Sequence, residues 1–519
     1  MAGRRRPKSA PPLFLQSPDR ERQVQLITYA DRLGGDLPGL RSLLQKELAG
    51  LFSGVHLLPF FDPIDGADAG FDPIDHTRVD SRLGSWDDVA ALGKDFAVMA
   101  DLIVNHVSAD SSQFVDVKQR GKASPCWGLF LKKEDVFPAG ESGPAQSQDI
   151  DRIYRPRPGQ PFTEIVLDDG SRLDFWTTFS ANQLDINVEG EQGRQYLESI
   201  LQTFAAAGVR EIRLDAAGYA IKRRGTSCFM LPETFDFIAS LASRAEELGI
   251  DTLVEIHSYY QTQIAIASHV GRVYDFALPP LVLHTLYTGN ADALKRWLAI
   301  SPRNCVTVLD THDGIGILDV AREGEQTGLL ADEEVDSLVE TIHDKTGGAS
   351  RSASGYAASN LDVYQVNSTF YDALGRNDID YLIARAIQFF VPGTPQVYYV
   401  GLLAGENDLE LVARTGVGRD INRHYYSPEE IQSALRRPVV RQLMRLMRLR
   451  NSLPAFAGSF SIGDSPSSEL VLRWDSDGSY AELRVDLSGP CATIDYSESG
   501  APGRFEIGQT GVTEEAGGA

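Results

Sequence analysis

Cysteine is scarce in this chain. Its 519 residues hold four, Cys126, Cys228, Cys305 and Cys491, far apart and with no CxxC pair, so neither a disulfide framework nor a thiolate zinc site is indicated. A reducing, cytoplasmic setting suits such a chain. Positive charge is short as well: 49 Lys and Arg stand against 72 Asp and Glu, a formal net charge of -23, and a surface of that sign repels a nucleic-acid backbone. No nucleic-acid partner is expected, and an anionic substrate must be met by a local group of cations working against the overall field. Long apolar runs are also missing. The most apolar stretch, Ala386 to Gly405, is split by Pro392, Gly393 and Pro395 into a helix end and a buried strand. The segment Met1 to Arg22 carries Arg4, Arg5, Arg6 and Lys8, then Pro11 and Pro12, and its apolar patch is only Leu13 to Leu15. That patch is too short for a signal peptide. Residues 1–22 therefore read as a disordered basic tail, and no membrane segment is expected.

What is present is a large apolar fraction, 42% of residues, enough to bury a sizeable core. Short apolar runs alternate with amphipathic ones, the pattern of parallel strands covered on both faces by helices. Eight runs read as strands, beginning near Val24, Gly54, Val98, Glu211, Thr252, Val273, Cys305 and Gln396. Eight strand-helix units predict an α/β fold, a closed (β/α)8 barrel, built from residues 23–107, 181–313 and 379–453. Two stretches interrupt it. Residues 108–180, after the third strand, are rich in Pro, Gly and polar residues and read as a loop-rich inserted subdomain B. Residues 314–378, after the seventh, form a second insertion. Beyond Pro454 the residues alternate apolar and polar, with Glu469 to Trp474 and Tyr480 to Val485 joined across Asp477-Gly478, a hairpin signature. Residues 454–519 read as a small C-terminal β-domain.

In a barrel the chemistry gathers at the C-terminal ends of the strands. The polar residues that close these apolar runs are consistent: Asp101 to His106 on the third, Arg213-Leu-Asp215 on the fourth, Glu255-Ile-His257 on the fifth and Asp310-Thr-His312-Asp313 on the seventh. Strand side chains alternate, so Arg213 and Asp215 share a face, and an Arg beside an Asp favours the ionised carboxylate that a nucleophile requires. One such Asp would ordinarily be a surface group or a helix cap. Three carboxylates at three strand ends, each flanked by Arg or His, are hard to explain as caps, and burying them without partners is costly. Residue types alone leave a second option, a metal site built from His106, His257, His312 and the acids, although no HxH or HExxH spacing supports it.

These segments resemble the four sequence blocks of glycoside hydrolase family 13, the α-amylase family. The wording of VQLITYADRLG, HLLPFFDPIDGADAGFDPIDHTRVD, IYRPRPGQPF, VEIHSYY, VTVLDTHDGIG and NLDVYQVNSTFY resembles its sucrose-phosphorolysing branch, from about Val24 to Ser452. The resemblance implies a retaining double displacement from sucrose to phosphate, giving α-glucose 1-phosphate and fructose. It makes Asp215 the nucleophile, Glu255 the general acid/base and Asp313 the carboxylate that stabilises the transition state. Asp68, Phe71, His106, Arg213, Tyr219 and His312 would bind the glucosyl ring, with Phe71 as an apolar platform. Asp362, Tyr364 and Gln365, from NLDVYQ, would lie near the acceptor. Glu255 must start protonated, and burial beside Asp215 would raise its affinity for a proton in the required direction. One departure stands out: many amylases carry Lys-His after the nucleophile segment, whereas this chain continues Asp215-Ala-Ala-Gly-Tyr219. A short pocket for one glucosyl unit is therefore expected, with no calcium, no other metal and no cofactor. Related acceptors, sucrose 6'-phosphate or glucosylglycerate, and plain sucrose hydrolysis or transglucosylation are the near alternatives. A homodimer is usual among such relatives and is expected here.

Phosphate poses a charge problem. A dianion is repelled by ionised Asp215, but after glucosylation Asp215 is a neutral ester. A cation is still needed to bring phosphate in, and Arg157 of YRPRPG is the first candidate, because its fork of donors matches phosphate oxygens. Arg155, His257 and Arg419 stand behind it. The plainer reading of Arg155 and Arg157 is ion pairing on a Pro-rich loop.

Overall fold

The structure, a computed structural model, describes residues 23–138, 144–155, 159–355, 365–498, 500–508 and 511–516. The basic tail, Arg157, Asp362 and Tyr364 lie outside the described residues.

Eight parallel strands close into a barrel: β1 (Gln25–Thr28), β2 (Gly54–Leu57), β3 (Ala97–Ile103), β4 (Glu211–Asp215), β5 (Asp251–Val254), β6 (Arg272–Asp275), β7 (Cys305–Thr307) and β8 (Thr394–Tyr398), with β1 beside β8. They are the eight runs expected from the sequence. β1, β2, β4, β7 and β8 are buried at every position, as strands covered on one face by helices and on the other by the barrel's filling must be. Part of that filling is polar and self-satisfied. Gln396 Nε2 donates to Gln25 Oε1 at 2.7 Å, Gln25 Nε2 to Glu211 Oε1 at 3.3 Å, and Tyr274 Oη to Gln396 Oε1 at 3.3 Å. Such a network is stabilising only because each member finds a partner.

The outer helices form for local reasons. In α1 (Glu191–Ala207) the buried Leu197, Ile200, Leu201 and Phe204 recur at helical spacing and face the barrel, and Gly208 ends the helix in a left-handed conformation, φ 78°. α2 (Pro232–Glu247) opens on a proline, whose missing N–H costs nothing in the first turn. α3 (Asp378–Phe390) is capped by the Asn377 side chain, which accepts from Ile379 N and Asp380 N. It packs on α4 (Pro438–Ser452) and on the C-terminal sheet. That sheet is six antiparallel strands, β9 (Ser459–Ile462), β10 (Glu469–Ser476), β11 (Ser479–Asp486), β12 (Cys491–Glu498), β13 (Ala501–Gly508) and β14 (Gly511–Ala516), in sequence order. Asp477-Gly478 turns β10 into β11 with Gly478 at φ 74°, and Trp474 Nε1 ties the sheet to the carbonyl of Phe390 on α3 at 2.7 Å.

Residues 108–180 are more regular than their composition suggests. They contain helices Ser112–Arg120, Lys133–Val136 and Pro144–Asp151 and a hairpin of Phe162–Val166 with Arg172–Trp176. The residues read as loop formers sit at element ends: Pro144 opens a helix and Gly170, at φ 83°, turns the hairpin. The second excursion likewise holds a helix, Asp332–Lys345, and a two-residue strand Ile315–Gly316 paired with Gln365–Val366. All four cysteines are free. Among the described residues no helix is long and apolar enough to cross a membrane.

Candidate active site

The site grows out of the register of β3, β4 and β5. Arg213 lies level with Asp101 on β3 and Leu253 on β5, and Glu255 follows β5, its N–H donating to Leu214 O at 3.3 Å. Arg213 points inward, 2% exposed. Its Nη1 donates to Asp101 Oδ1 at 2.6 Å and to Asp215 Oδ1 at 3.0 Å, and its Nη2 lies 2.6 Å from Glu255 Oε1. One guanidinium thus serves three carboxylates. Asp101 is held below the usual carboxylate range because His56, at 3.2 Å, and Arg213 outweigh its burial. Asp215 goes the other way: burial first and the Glu255 charge second push it well above that range, against the pull of Arg213. The expectation that Arg213 simply keeps Asp215 ionised is too simple, since its charge is divided.

Asp313 follows β7. Burial would raise it, but the arginines Arg419, Arg423 and Arg213 outweigh burial and hold it well below the usual range; Arg419 Nη1 lies 2.8 Å from Asp313 Oδ1. His312 is pushed down to about 3 by burial and is neutral. Its ring stacks on Phe71, centroids 4.8 Å apart and planes 8° from parallel. Arg423 fixes the backbone there by donating from Nε to His312 O at 2.9 Å. His106 Nε2 lies 2.9 Å from the carbonyl of Phe71 and 3.0 Å from Gln183 Nε2. Asp68 sits in a run of left-handed residues, Asp68 at φ 55°, Ala69 at φ 53° and Gly70 at φ 88°, a costly conformation for the first two. It lies 3.7 Å from Arg419. Tyr219 joins Phe179, Phe229 and Tyr154 in an aromatic wall, with centroids 5.0, 4.8 and 6.2 Å away.

Asp68, Phe71, His106, Asp215, Tyr219, Glu255, His257, His312, Asp313, Gln365 and Arg419 line one pocket, and Arg213 lies beneath it. Arg155 is on a loop where it donates to the carbonyl of Gln160. Six pocket residues were missed from sequence: Phe179, Gln183, Ala216, Gly218, Phe229 and Ile256. Their signal is faint: Phe179 and Gln183 sit where the 108–180 insertion rejoins the barrel, the others sit in the loops that follow β4 and β5, and none has a side chain of special chemistry.

Glu255, His257 and Asp313 offer ligand atoms within 4.8 Å of one another, but the acids already hold Arg213 and Arg419, and His257 holds Asp319. His106 and His312 are not of this group. The donor set does not fit a resident divalent ion. Nearby, the ammonium of Lys222 fills an oxygen cage, 3.1 Å from Asn105 Oδ1 and 2.8 Å from Asp185 Oδ2, and also donates to the Tyr219 carbonyl.

An eight-stranded barrel with paired acids at the ends of its fourth and fifth strands and a third after its seventh defines a class of glucoside-processing protein. Residues 12–276 match the family model for the α-amylase catalytic domain, and the chain belongs to the α-amylase family. Over 486 residues it is 58% identical to sucrose phosphorylase of Agrobacterium vitis, covering 92% of this chain and 99% of that one. It is 51% identical to sucrose phosphorylase of Bifidobacterium adolescentis, covering 93% and 97%. The crystal structure of sucrose 6F-phosphate phosphorylase from Thermoanaerobacter thermosaccharolyticum is similar with a TM-score of 0.85 at 36% identity, covering 96% of this chain and 98% of that one.

Proposed function

We propose that the protein transfers the glucosyl unit of sucrose to inorganic phosphate, giving α-D-glucose 1-phosphate and D-fructose. The observation that carries this is near-full-length likeness, at 58% and 51% identity, to two sucrose phosphorylases. Asp215 attacks the anomeric carbon while Glu255 gives its proton to the glycosidic oxygen, releasing fructose and leaving a glucosyl ester on Asp215. A phosphate oxygen then attacks the same carbon and expels the carboxylate, so configuration is retained. Asp313, ionised through this cycle, holds sugar hydroxyls where positive charge develops on the ring. In the productive complex Asp215 must be anionic and Glu255 must carry the proton it gives. His106, His312, Phe71 and Asp68 hold the glucosyl ring, with Tyr219 on its wall, and the two insertions, 108–180 and 314–378, shape the acceptor side. Asp362, Tyr364 and Gln365 meet fructose, and Arg157 leads the cations that receive phosphate.

A phosphorylated acceptor would need additional cations there. We also place the chain in a reducing cytoplasm, which its free cysteines suit, as a homodimer, which sedimentation would check. The decisive assay is incubation with sucrose and phosphate, reading glucose 1-phosphate. Glucose alone, formed at a rate indifferent to phosphate, would defeat the reading. Arg157→Ala should weaken phosphate use far more than formation of the glucosyl-enzyme, and equal loss of both would remove Arg157 from this role.

A further inference from the structure

We propose that Asn422 and Arg423, from the chain that follows β8, are positioning residues for Asp313 in both displacements: their side chains hold the backbone of Thr311 to Asp313 where β7 no longer does. The inference rests on the phosphorylase reading and gives a task to two residues outside the pocket lining.

β7 ends at Thr307, level with Pro395 on β8. Asp313 lies well beyond that point, so the hydrogen bonds of the barrel cannot place its carboxylate. Two side chains do so instead. Asn422 Nδ2 donates to Thr311 O at 2.8 Å and to Asp313 O at 3.4 Å, and Arg423 Nε donates to His312 O, between them, at 2.9 Å. Three successive carbonyls are thus met by two adjacent residues. Both donors are buried, where a carbonyl deprived of its partner carries the full cost of desolvation. The clamp is itself held. Asn422 O accepts from Tyr398 Oη at 3.0 Å, Arg423 O from Arg32 Nη1 at 3.3 Å and His424 O from Tyr399 Oη at 2.8 Å. Tyr398 closes β8, Tyr399 follows it, and Arg32 stands just after β1, so side chains at the ends of two neighbouring strands fix 422–424, which in turn fix 311–313.

Arg423 brings a charge as well as a donor. Its Nη1 and Nη2 find no hydrogen-bond acceptor among the described residues, and its ion pair with Asp420 is loose, 3.7 Å. A buried guanidinium with so little local compensation is costly. What the fold gains for it is the anionic form of Asp313, which that charge favours. Arg419 stands closer to the carboxylate but lines the pocket where substrate enters, whereas Arg423 is fully buried behind it. The corner at 311–313 therefore has a fixed cation and three fixed carbonyls, and a small shift of that corner moves the carboxylate that holds the sugar's hydroxyls. Transition-state stabilisation is steep in such shifts.

The test is Asn422→Leu, which keeps much of the shape and removes the donor. Asp313 serves formation and breakdown of the glucosyl ester alike, so kcat/KM for sucrose and, in the reverse direction, for glucose 1-phosphate should both fall about 10- to 100-fold, the scale of a small misplacement in a catalytic constellation. The ratio of glucose 1-phosphate to glucose at a given phosphate concentration should stay at its wild-type value, whereas a residue acting on the acceptor would move it. Arg423→Gln, which gives up the charge and shortens the reach to His312 O, should lose as much, and Arg423→Lys, which keeps a cation, should regain part of the loss. In Asp313→Asn protein, followed with α-glucosyl fluoride, Asn422→Leu should cost much less than it does in wild type, because the side chain it positions is already disabled. A folded Asn422→Leu protein with wild-type kcat/KM would overturn the proposal, as would a loss just as large in the Asp313→Asn background. Should Asn422→Leu fail to fold, Arg423→Gln carries the same two outcomes. Wild-type protein that ignores phosphate would defeat the phosphorylase reading itself, yet sucrose cleavage in the same variants would still decide the clamp.

Discussion

Arg213 sets the proton arrangement around the sugar, because a single guanidinium contacts Asp101, Asp215 and Glu255. A dedicated partner for each acid would fix all three as anions and leave no proton to give to fructose. Sharing divides one positive charge among three acids, so that burial and the Glu255 charge outweigh its pull on Asp215. Glu255→Gln removes the proton given to fructose and should lower sucrose turnover by about 100- to 10,000-fold, the usual range for a general acid. With α-glucosyl fluoride, whose leaving group needs little protonation, the loss should be much smaller. Phosphate arrives already ionised, whereas water needs a base, so the variant's ratio of glucose 1-phosphate to glucose from the fluoride should exceed that of wild type. Equal loss of both products would show that Glu255 does not act as the base for water.

Among the elements, the pocket wall depends on one tie between barrel and insertion. The short strand His106–Ser108 pairs with Gln183–Asp185, and Lys222, after β4, bonds Asn105 before the first of these and Asp185 at the end of the second. Asp185 also accepts from Thr178 N at 3.0 Å and Thr178 Oγ1 at 2.6 Å, but Lys222 supplies the cation. Lys222→Met leaves a buried carboxylate uncompensated and should destabilise the fold by about 3 kcal/mol or more. It should also weaken sucrose binding through His106 and Gln183, read as a lower unfolding midpoint and a higher KM. A midpoint within error of wild type would mean that the tie is dispensable. The barrel strands were legible because each is a short apolar run, and the acids among the polar residues that close the third, fourth, fifth and seventh marked the site. Lys222 and Asp319 were not, because a lone Lys or Asp in a loop has no pattern; only folding brings Lys222 to Asp185 and Asp319 to His257. The helices of 108–180 were missed because proline and glycine were read as loop residues when they mark element boundaries.

At the scale of the whole molecule, a net charge of -23 makes every buried acid a question of how the fold avoids ionising it or neutralises it. Asp313 is neutralised by arginines. Asp275, at the end of β6, is treated differently: the groups on it are neutral, Trp297 Nε1 at 3.0 and 3.1 Å and Leu278 N at 3.1 Å, and burial raises its pKa to about 7. The acid therefore joins β6 to the helix Asp292–Ile300 as a protonated group. Because its folded value lies above its unfolded one, the stability it contributes is fully present below about pH 4 and is lost as pH rises through about 7, a change of at most about 4 kcal/mol. An asparagine in its place would still accept from Trp297 and Leu278 through its single oxygen, with no charge to bury, while its amide nitrogen would replace Oδ2 beside Trp297 Nε1. Asp275→Asn should thus match wild type, or fall slightly below it, in unfolding free energy near pH 5, and exceed it increasingly toward pH 8. Asp313 and the other acids titrate alike in both proteins, so the difference between the two curves isolates Asp275. A difference that stays flat across that range would mean Asp275 is ionised in the fold throughout, with a cation or water supplying what Trp297 and Leu278 do not.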